Sequence, residues 1–257
     1  MSSAPSKTVL ITGASAGLGA EMARQFAARG HDLALCARRL ERLEQLRAEI
    51  LADHPDVRIE VRALDVNDAD QVFEVFRGFR DDFAAHGRSI DRIIVNAGLG
   101  KGAPLGTGGY AANRETAMTN FIGALTQSEA AMEIFRAQEA GHLVMISSMS
   151  AMRGLPKSMT TYAASKAGAA HLAEGVRNEF HGKPVKVTVL YPGYIASEMN
   201  EHVAQKTPLM ASTEKGVKAI VEAIEKEKAS ACVPPLPWAP LSVVMKHAPL
   251  PVFKKLM

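Results

Sequence analysis

A phenol and an ammonium four residues apart, Tyr162 and Lys166, stand near the start of a segment whose Ala, Leu and Glu content predicts a helix over 163–182. Helical spacing sets the two on one face, one turn apart. A phenol is a proton donor suited to a carbonyl oxygen. Free tyrosine titrates near ~10, so a neighbouring cation is expected to lower it toward neutral pH. Ser148, upstream at an expected strand end, can hydrogen-bond the same oxygen. A Tyr and a Lys at this spacing also suit an ordinary exposed pair, so the chemistry depends on what the chain places around them.

The elements that must position them alternate regularly. Thr8 to Ile11 is an apolar run that stops at Thr12-Gly13, followed by a helix over Ala20 to Arg29 that Gly30 closes. Strands are expected over 32–36, 57–64, 90–95, 142–147 and 185–191, with a last one near Ala231 to Val233. Helices are expected over 40–52, from a cap at Asn67 or Asp68 to about Ala85, over 112–138 and over 213–228. A glycine-rich loop fills 98–109. This alternation implies an α/β fold, a Rossmann-like doubly wound parallel sheet with helices on both faces, in a single domain over residues 1–233. Residues 234–257 form a proline-rich apolar tail, and its prolines argue against a long helix there.

In such a sheet ligands bind beyond the carboxyl ends of the strands. After the first strand stands T-G-A-S-A-G-L-G, whose Gly13, Gly17 and Gly19 permit a tight turn and the approach of a pyrophosphate to a helix amino end. Gly13 to Gly17 also fits a G-x-S-x-G nucleophile elbow with Ser15 as the nucleophile. A hydrolase, however, places strands and an oxyanion loop before its elbow, and this one follows the first strand. After the second strand come Arg38 and Arg39, where an acid would accept the ribose hydroxyls of NAD and arginine would pair with the 2′-phosphate of NADP. Asp65-Val66 follows the third strand, Asn96-Ala97-Gly98 the fourth, and Asn120 lies inside the long helix.

Read together, T-G-x-x-x-G-x-G, Asp65, N-A-G at Asn96 to Gly98, Asn120, Ser148, Y-x-x-S-K at Tyr162 to Lys166 and Pro192-Gly193 resemble, in order, the short-chain dehydrogenase/reductase family. The resemblance covers Thr8 to about Lys228. It implies a catalytic tetrad of Asn120, Ser148, Tyr162 and Lys166, with Lys166 also holding the nicotinamide ribose. It implies NADP(H) bound by Gly13, Ser15, Gly17, Leu18, Gly19, Arg38, Arg39, Asp65, Val66, Asn96, Ala97, Gly98, Tyr162, Lys166, Pro192, Gly193 and Ile195. By the same resemblance Asn120 holds a water linking Lys166 to solvent, and the protein is a homo-oligomer, dimer or tetramer. The chain departs from the family pattern in three places. The segment from Pro156 to Tyr162 is one residue longer than the commonest spacing, so Ser148 is preferred to Ser147 or Ser150. Ala16 stands where many NADP-preferring relatives carry a basic residue. Ser197 stands where threonine is frequent, in a substrate loop reaching Met210. Met199, Val203, Leu209 and Met210 in that loop favour an apolar substrate of lipid, acyl or steroid-like kind.

Composition removes other classes. The net charge of +3 is spread without a basic run interleaved with aromatics, so no nucleic-acid partner is expected. The eight histidines form no zinc-like cluster with cysteine, and no metal is expected. Cys36 and Cys232 are read as core residues. Residues 1–6 are polar, without a secretory signature, which leads to an expected cytoplasmic location. The tail is expected to pack on its own domain or a partner, or to touch a membrane peripherally through Trp238, Leu241, Val243, Val244 and Phe253 with Lys246, Lys254 and Lys255. The competing readings are a non-catalytic dinucleotide sensor or scaffold and the Ser15 hydrolase.

Overall fold

Short β-rich apolar runs pair throughout in parallel. In the computed structural model, which describes residues 6–196 and 209–256, the strands are β1 (Thr8–Thr12), β2 (Asp32–Ala37), β3 (Ile59–Ala63), β4 (Arg92–Val95), β5 (Gly141–Ile146), β6 (Val185–Pro192) and β7 (Ser230–Val233). Their order across the sheet is β3-β2-β1-β4-β5-β6-β7. The chain therefore reverses its direction of travel between β1 and β4, whose registered pairs run from Val9 with Arg92 to Ile11 with Ile94. A crevice opens beyond the carboxyl ends of strands at such a reversal.

Alternate strand residues feed opposite layers. Leu10, Ile93, Val95, Leu143 and Met145 pack with α3 (Ala69–Ala84), α5 (Gly123–Gln138) and α6 (Thr160–Glu179). Val9, Ile11, Leu33, Leu35, Ile94 and Val144 pack with α1 (Gly17–Ala27), α2 (Leu40–Asp53) and α7 (Thr213–Glu225). A sheet covered on both faces accounts for strands that read as nearly continuous apolar runs. Asp68 caps α3 by accepting from the Gln71 N–H at 3.0 Å.

The long helix expected over 112–138 is interrupted. It runs as α4 (Tyr110–Ala117), a five-residue π turn at Met118–Ile122, and α5. The wide turn holds Asn120, and a π turn of this kind leaves no periodic signature in apolar spacing.

The amino end of the sheet is closed by charge. Arg92, fully buried, donates from Nη1 to Glu225 Oε1 at 2.5 Å. His31 Nδ1 accepts the Lys7 N–H at 3.0 Å, which leaves Nε2 as the donor to Glu225 Oε1 at 3.0 Å. Asp91 accepts the Thr8 N–H at 2.7 Å, and His142 Nε2 lies 2.7 Å from Thr188 Oγ1.

The tail differs from the sequence reading in its conformation and agrees with it in packing on its own domain. It is helical, as α8 (Pro235–His247) and α9 (Leu250–Leu256). Leu236 keeps extended angles, φ −104° and ψ 136°, so the helix proper begins at Pro237 and Pro240 falls at its fourth position. There a proline removes only the first intrahelical bond and meets no helical carbonyl behind it. Of the two packings expected for the tail, Trp238 and Phe253 follow the one on the domain: both are buried against protein and not free for a membrane interface. Trp238 fills the space over Gly193, where a Cβ would stand 2.0 Å from the indole. Phe253 packs with Leu155 and Ala163. Arg153 stacks on the Phe253 ring at 4.7 Å and donates to the carbonyls of Met245 and Ala248. Cys36 is core as expected, whereas Cys232, on the edge strand, is only partly buried. Among the described residues no helix is long and apolar enough to cross a membrane.

Candidate active site

The turn after β1 is made by Thr12 and the glycines. Thr12 Oγ1 accepts the N–H groups of Asn96 at 3.0 Å and Ala97 at 3.1 Å and donates to the Ile94 carbonyl, tying the ends of β1 and β4 together. Asn96 returns its side-chain amide to the Thr12 carbonyl at 2.9 Å. Gly13 has φ +64°, a left-handed conformation that glycine adopts freely. A Cβ on Gly19 would stand 2.3 Å from the Gly13 carbonyl oxygen, so only glycine lets α1 come this close. Helix α1 starts at Gly17 with no side-chain cap and no acidic residue in its first turn. Its first N–H groups and the positive end of its dipole are thus open to an anion.

Arg38, exposed, and Arg39 follow β2 at the edge of the same cleft. Arg39 donates to Ser15 Oγ at 3.2 Å, so the serine of the elbow-like sequence is engaged by a guanidinium and, among the described residues, no histidine bonds it. Asp65 accepts both the backbone and side-chain N–H of Asn67, at 3.0 and 3.1 Å, and Asn67 reaches Thr119 at 3.3 Å.

Around the phenol the geometry separates the serines. Ser147 is buried and donates to the Lys166 carbonyl at 2.8 Å, so it holds the start of α6. Ser150 is also buried. Ser148 Oγ accepts the Ser150 N–H at 3.1 Å and lines the cleft with Tyr162. Burial pushes the Tyr162 phenol above its ordinary value; the Ser148 hydrogen bond draws it down, and nearby Tyr194 raises it further. The Lys166 ammonium, expected to lower the phenol, bonds the Ile146 carbonyl at 3.0 Å. Burial lowers Lys166 itself to about 8. Asn120 is almost wholly buried, accepts the Leu99 N–H at 2.8 Å and donates to the Leu99 carbonyl at 2.8 Å and to Ser165 at 3.3 Å. Both of its N–H donors are spent on protein, so the water expected on this side chain has only an acceptor lone pair to meet. A Cβ on Gly98 would lie 3.1 Å from Asn120 Oδ1 and 3.2 Å from Lys166 Nζ, so all three crowd one point.

These residues share one cleft of about 440 Å³. Every residue that the sequence reading assigned to catalysis or cofactor lines it, except Asn120, which stands behind the Leu99 loop. Ser197, Met199 and Val203 lie outside the described residues. Sequence reading missed Thr12, Asn67, Leu99 and Thr119, of which all but Thr12 line the cleft. A polar residue closing a strand is a visible signal for Thr12, but nothing in the sequence distinguishes the other three from ordinary loop and helix residues.

The match to known proteins agrees with this geometry. The family model described as short chain dehydrogenase matches residues 7–208. The chain belongs to the short-chain dehydrogenase/reductase family. An uncharacterized oxidoreductase of Mycobacterium tuberculosis is 52% identical over 237 residues, 92% of each chain. The short-chain dehydrogenase of Sphingobium yanoikuyae solved with NADPH superposes with a TM-score of 0.80 at 26% identity, covering 93% of each chain. A short-chain dehydrogenase/reductase of Burkholderia phymatum solved with NAD superposes with a TM-score of 0.80 at 20% identity, covering 95% of this chain and 93% of that one. The chain is thus an oxidoreductase of this family, and its relatives hold both kinds of nicotinamide dinucleotide.

Proposed function

We propose that this family member uses NADP(H) to interconvert a ketone or aldehyde with an alcohol on an apolar substrate. One observation carries the reading: Ser148, Tyr162 and the buried Lys166 line the same cleft as the glycine turn and the two arginines after β2. The cleft fits a dinucleotide, since Gly13 and Gly19 leave the room a Cβ would fill and α1 is uncapped. Gly13, Gly17 and Gly19 would hold its pyrophosphate, Asp65 and Val66 its adenine side, and Asn96 to Gly98 with Pro192, Gly193 and Ile195 the channel toward the nicotinamide. Bound there, the dinucleotide supplies or accepts the hydride at the carbonyl carbon.

The residues of the chain manage the oxygen. Tyr162, kept protonated by burial, gives its proton to that oxygen as negative charge develops on it. Ser148, whose oxygen already accepts from Ser150, has its own proton to donate to the same atom. Lys166 has three donors; Ile146 takes one, and the others serve the ribose and the charge forming beside Tyr162. Asn120 is a positioning residue that fixes the Leu99 loop against α6. Arg38, with Arg39 beside it, supplies the positive charge that a 2′-phosphate requires.

The test is a pair of fluorescence titrations of the purified protein with NADPH and NADH, followed by turnover assays on apolar ketones and aldehydes. Tighter binding of NADPH is expected. Preference for NADH would overturn the arginine reading alone, and failure of both to bind would overturn the oxidoreductase mechanism.

A further inference from the structure

Surface helices in this fold have one apolar face, turned inward. Helix α7 is typical: its exposed positions are Glu214, Lys215, Lys218 and Glu222. Helix α8 differs. Its inner side is apolar, with Trp238 buried and Met245 partly so, and its outer side is apolar as well. Leu236, Val243 and Val244 are 75%, 60% and 42% exposed, and in α9 Leu250 is 55% and Val252 49% exposed. A helix that is apolar all round is one whose second side is covered by something.

Charge identifies the cover. Residues 234–257 contain no Asp or Glu, and their charged side chains are Lys246, Lys254 and Lys255, with His247 beside them. Lys246 and Lys254 are exposed, three residues after Val243 and two after Val252 in sequence. Against a second copy of the same tail, a two-fold contact would set these lysines against each other with no carboxylate in either tail to neutralise them. Against an anionic bilayer the same arrangement is complementary: valines and leucines enter the headgroup region while the ammonium groups pair with lipid phosphates. We propose that the outer face of α8 and α9 docks on an anionic lipid surface. The residues that would enter it are Leu236, Val243, Val244, Leu250 and Val252, and not the buried Trp238 and Phe253. The placement also matters for the cleft. Trp238 on the inner side of α8 covers Gly193 and stacks edge-on with Tyr194 at 5.6 Å, so the docking element is also part of the wall behind the candidate active site.

The test is cosedimentation of the full chain with phosphatidylcholine vesicles with and without phosphatidylserine. The wild-type protein is expected to pellet with the phosphatidylserine vesicles. Lys246→Glu with Lys254→Glu, and separately Val243→Glu with Val252→Glu, are each expected to lower that partition about tenfold or more. NADPH titration of every variant reports a folded cleft independently, so loss of docking is distinguished from loss of the fold or failure of the oxidoreductase reading. Should the valine variant fail to fold, the lysine variant decides. Wild-type protein left in the supernatant, or variants that pellet as well as wild type, would overturn the proposal. So would sedimentation velocity showing a wild-type dimer that Val243→Glu with Val252→Glu makes monomeric, since a second copy would then be the cover.

Discussion

At the amino end of the sheet Arg92, Glu225 and His31 close on one another within 2.5 to 3.0 Å, and Asp91 takes the N–H of Thr8. At the carboxyl end of the same strands α1 starts without a cap, Arg38 stands exposed, and Ser148 and Tyr162 line a cleft together. One end spends its charges on the protein itself, while the other leaves donors and cations facing a space. The contrast shows where this fold puts stability and where it puts chemistry. A buried charge such as Arg92, paired with a partly exposed Glu225, need only survive being desolvated, whereas an open donor is useful only once a ligand meets it.

The comparison can be broken at either end. Tyr162→Phe is expected to cut turnover about 10³-fold while NADPH binding and unfolding stay near wild type, as removal of a general acid should. Steady-state assays with a parallel cofactor titration check it, and unimpaired turnover would sink the role given to the phenol. At the other end, Glu225→Ala strands the buried Arg92 guanidinium and is expected to cost about 3 kcal/mol in urea unfolding, with cofactor affinity unchanged. A loss of affinity matching the loss of stability would show that the two ends are not independent. Arg38→Ala is expected to weaken NADPH about tenfold and leave NADH as it was.

Proton titration separates the ends more gently. Burial, followed by the nearby Arg92 and Lys7 charges, lowers His142 from its ordinary 6.5 to about 3. Glu225 is lowered from 4.5 to about 2, because the His31 and Arg92 hydrogen bonds outweigh the burial that opposes ionisation. In both cases the unfolded chain binds more protons in the window between its own value and the folded one. Stability from the amino end is therefore fully present above about 6.5 and is lost as pH falls through 4.5 toward 2. Lys166 has the same sign in another window: lowered by burial from 10.5 to about 8, it makes the fold gain stability as pH rises from 8 to 10.5. Urea unfolding from pH 3 to 10 reads both, and Glu225→Gln should flatten only the acid limb.

What could be read from residues alone followed periodicity and glycine. The strands are legible because both sheet faces are covered, Gly13 and Gly19 because backbone contact leaves no room for a side chain, and Gly17 because its φ is +54°. Tyr162 and Lys166 were legible as a pair, since one helical turn joins them, but not the state of the phenol, which burial raises and Ser148 draws down. The π turn at Asn120 escaped because one wide turn scarcely alters apolar spacing. The helical tail escaped because Pro240 was read as a breaker, and its tolerance depends on Leu236 staying outside the helix. Arg92 escaped because its partner Glu225 lies 133 residues away and nothing local to β4 announces an ion pair.

Trp238 is the one tryptophan in the sequence, and it rests on Gly193 and Tyr194 beside the cleft. Its indole N–H is buried without a protein partner. All indole emission from this molecule therefore originates at a single place, the back wall of the candidate site. The colour and intensity of that light are an optical gauge that the fold already carries, able to register an arriving molecule without any label.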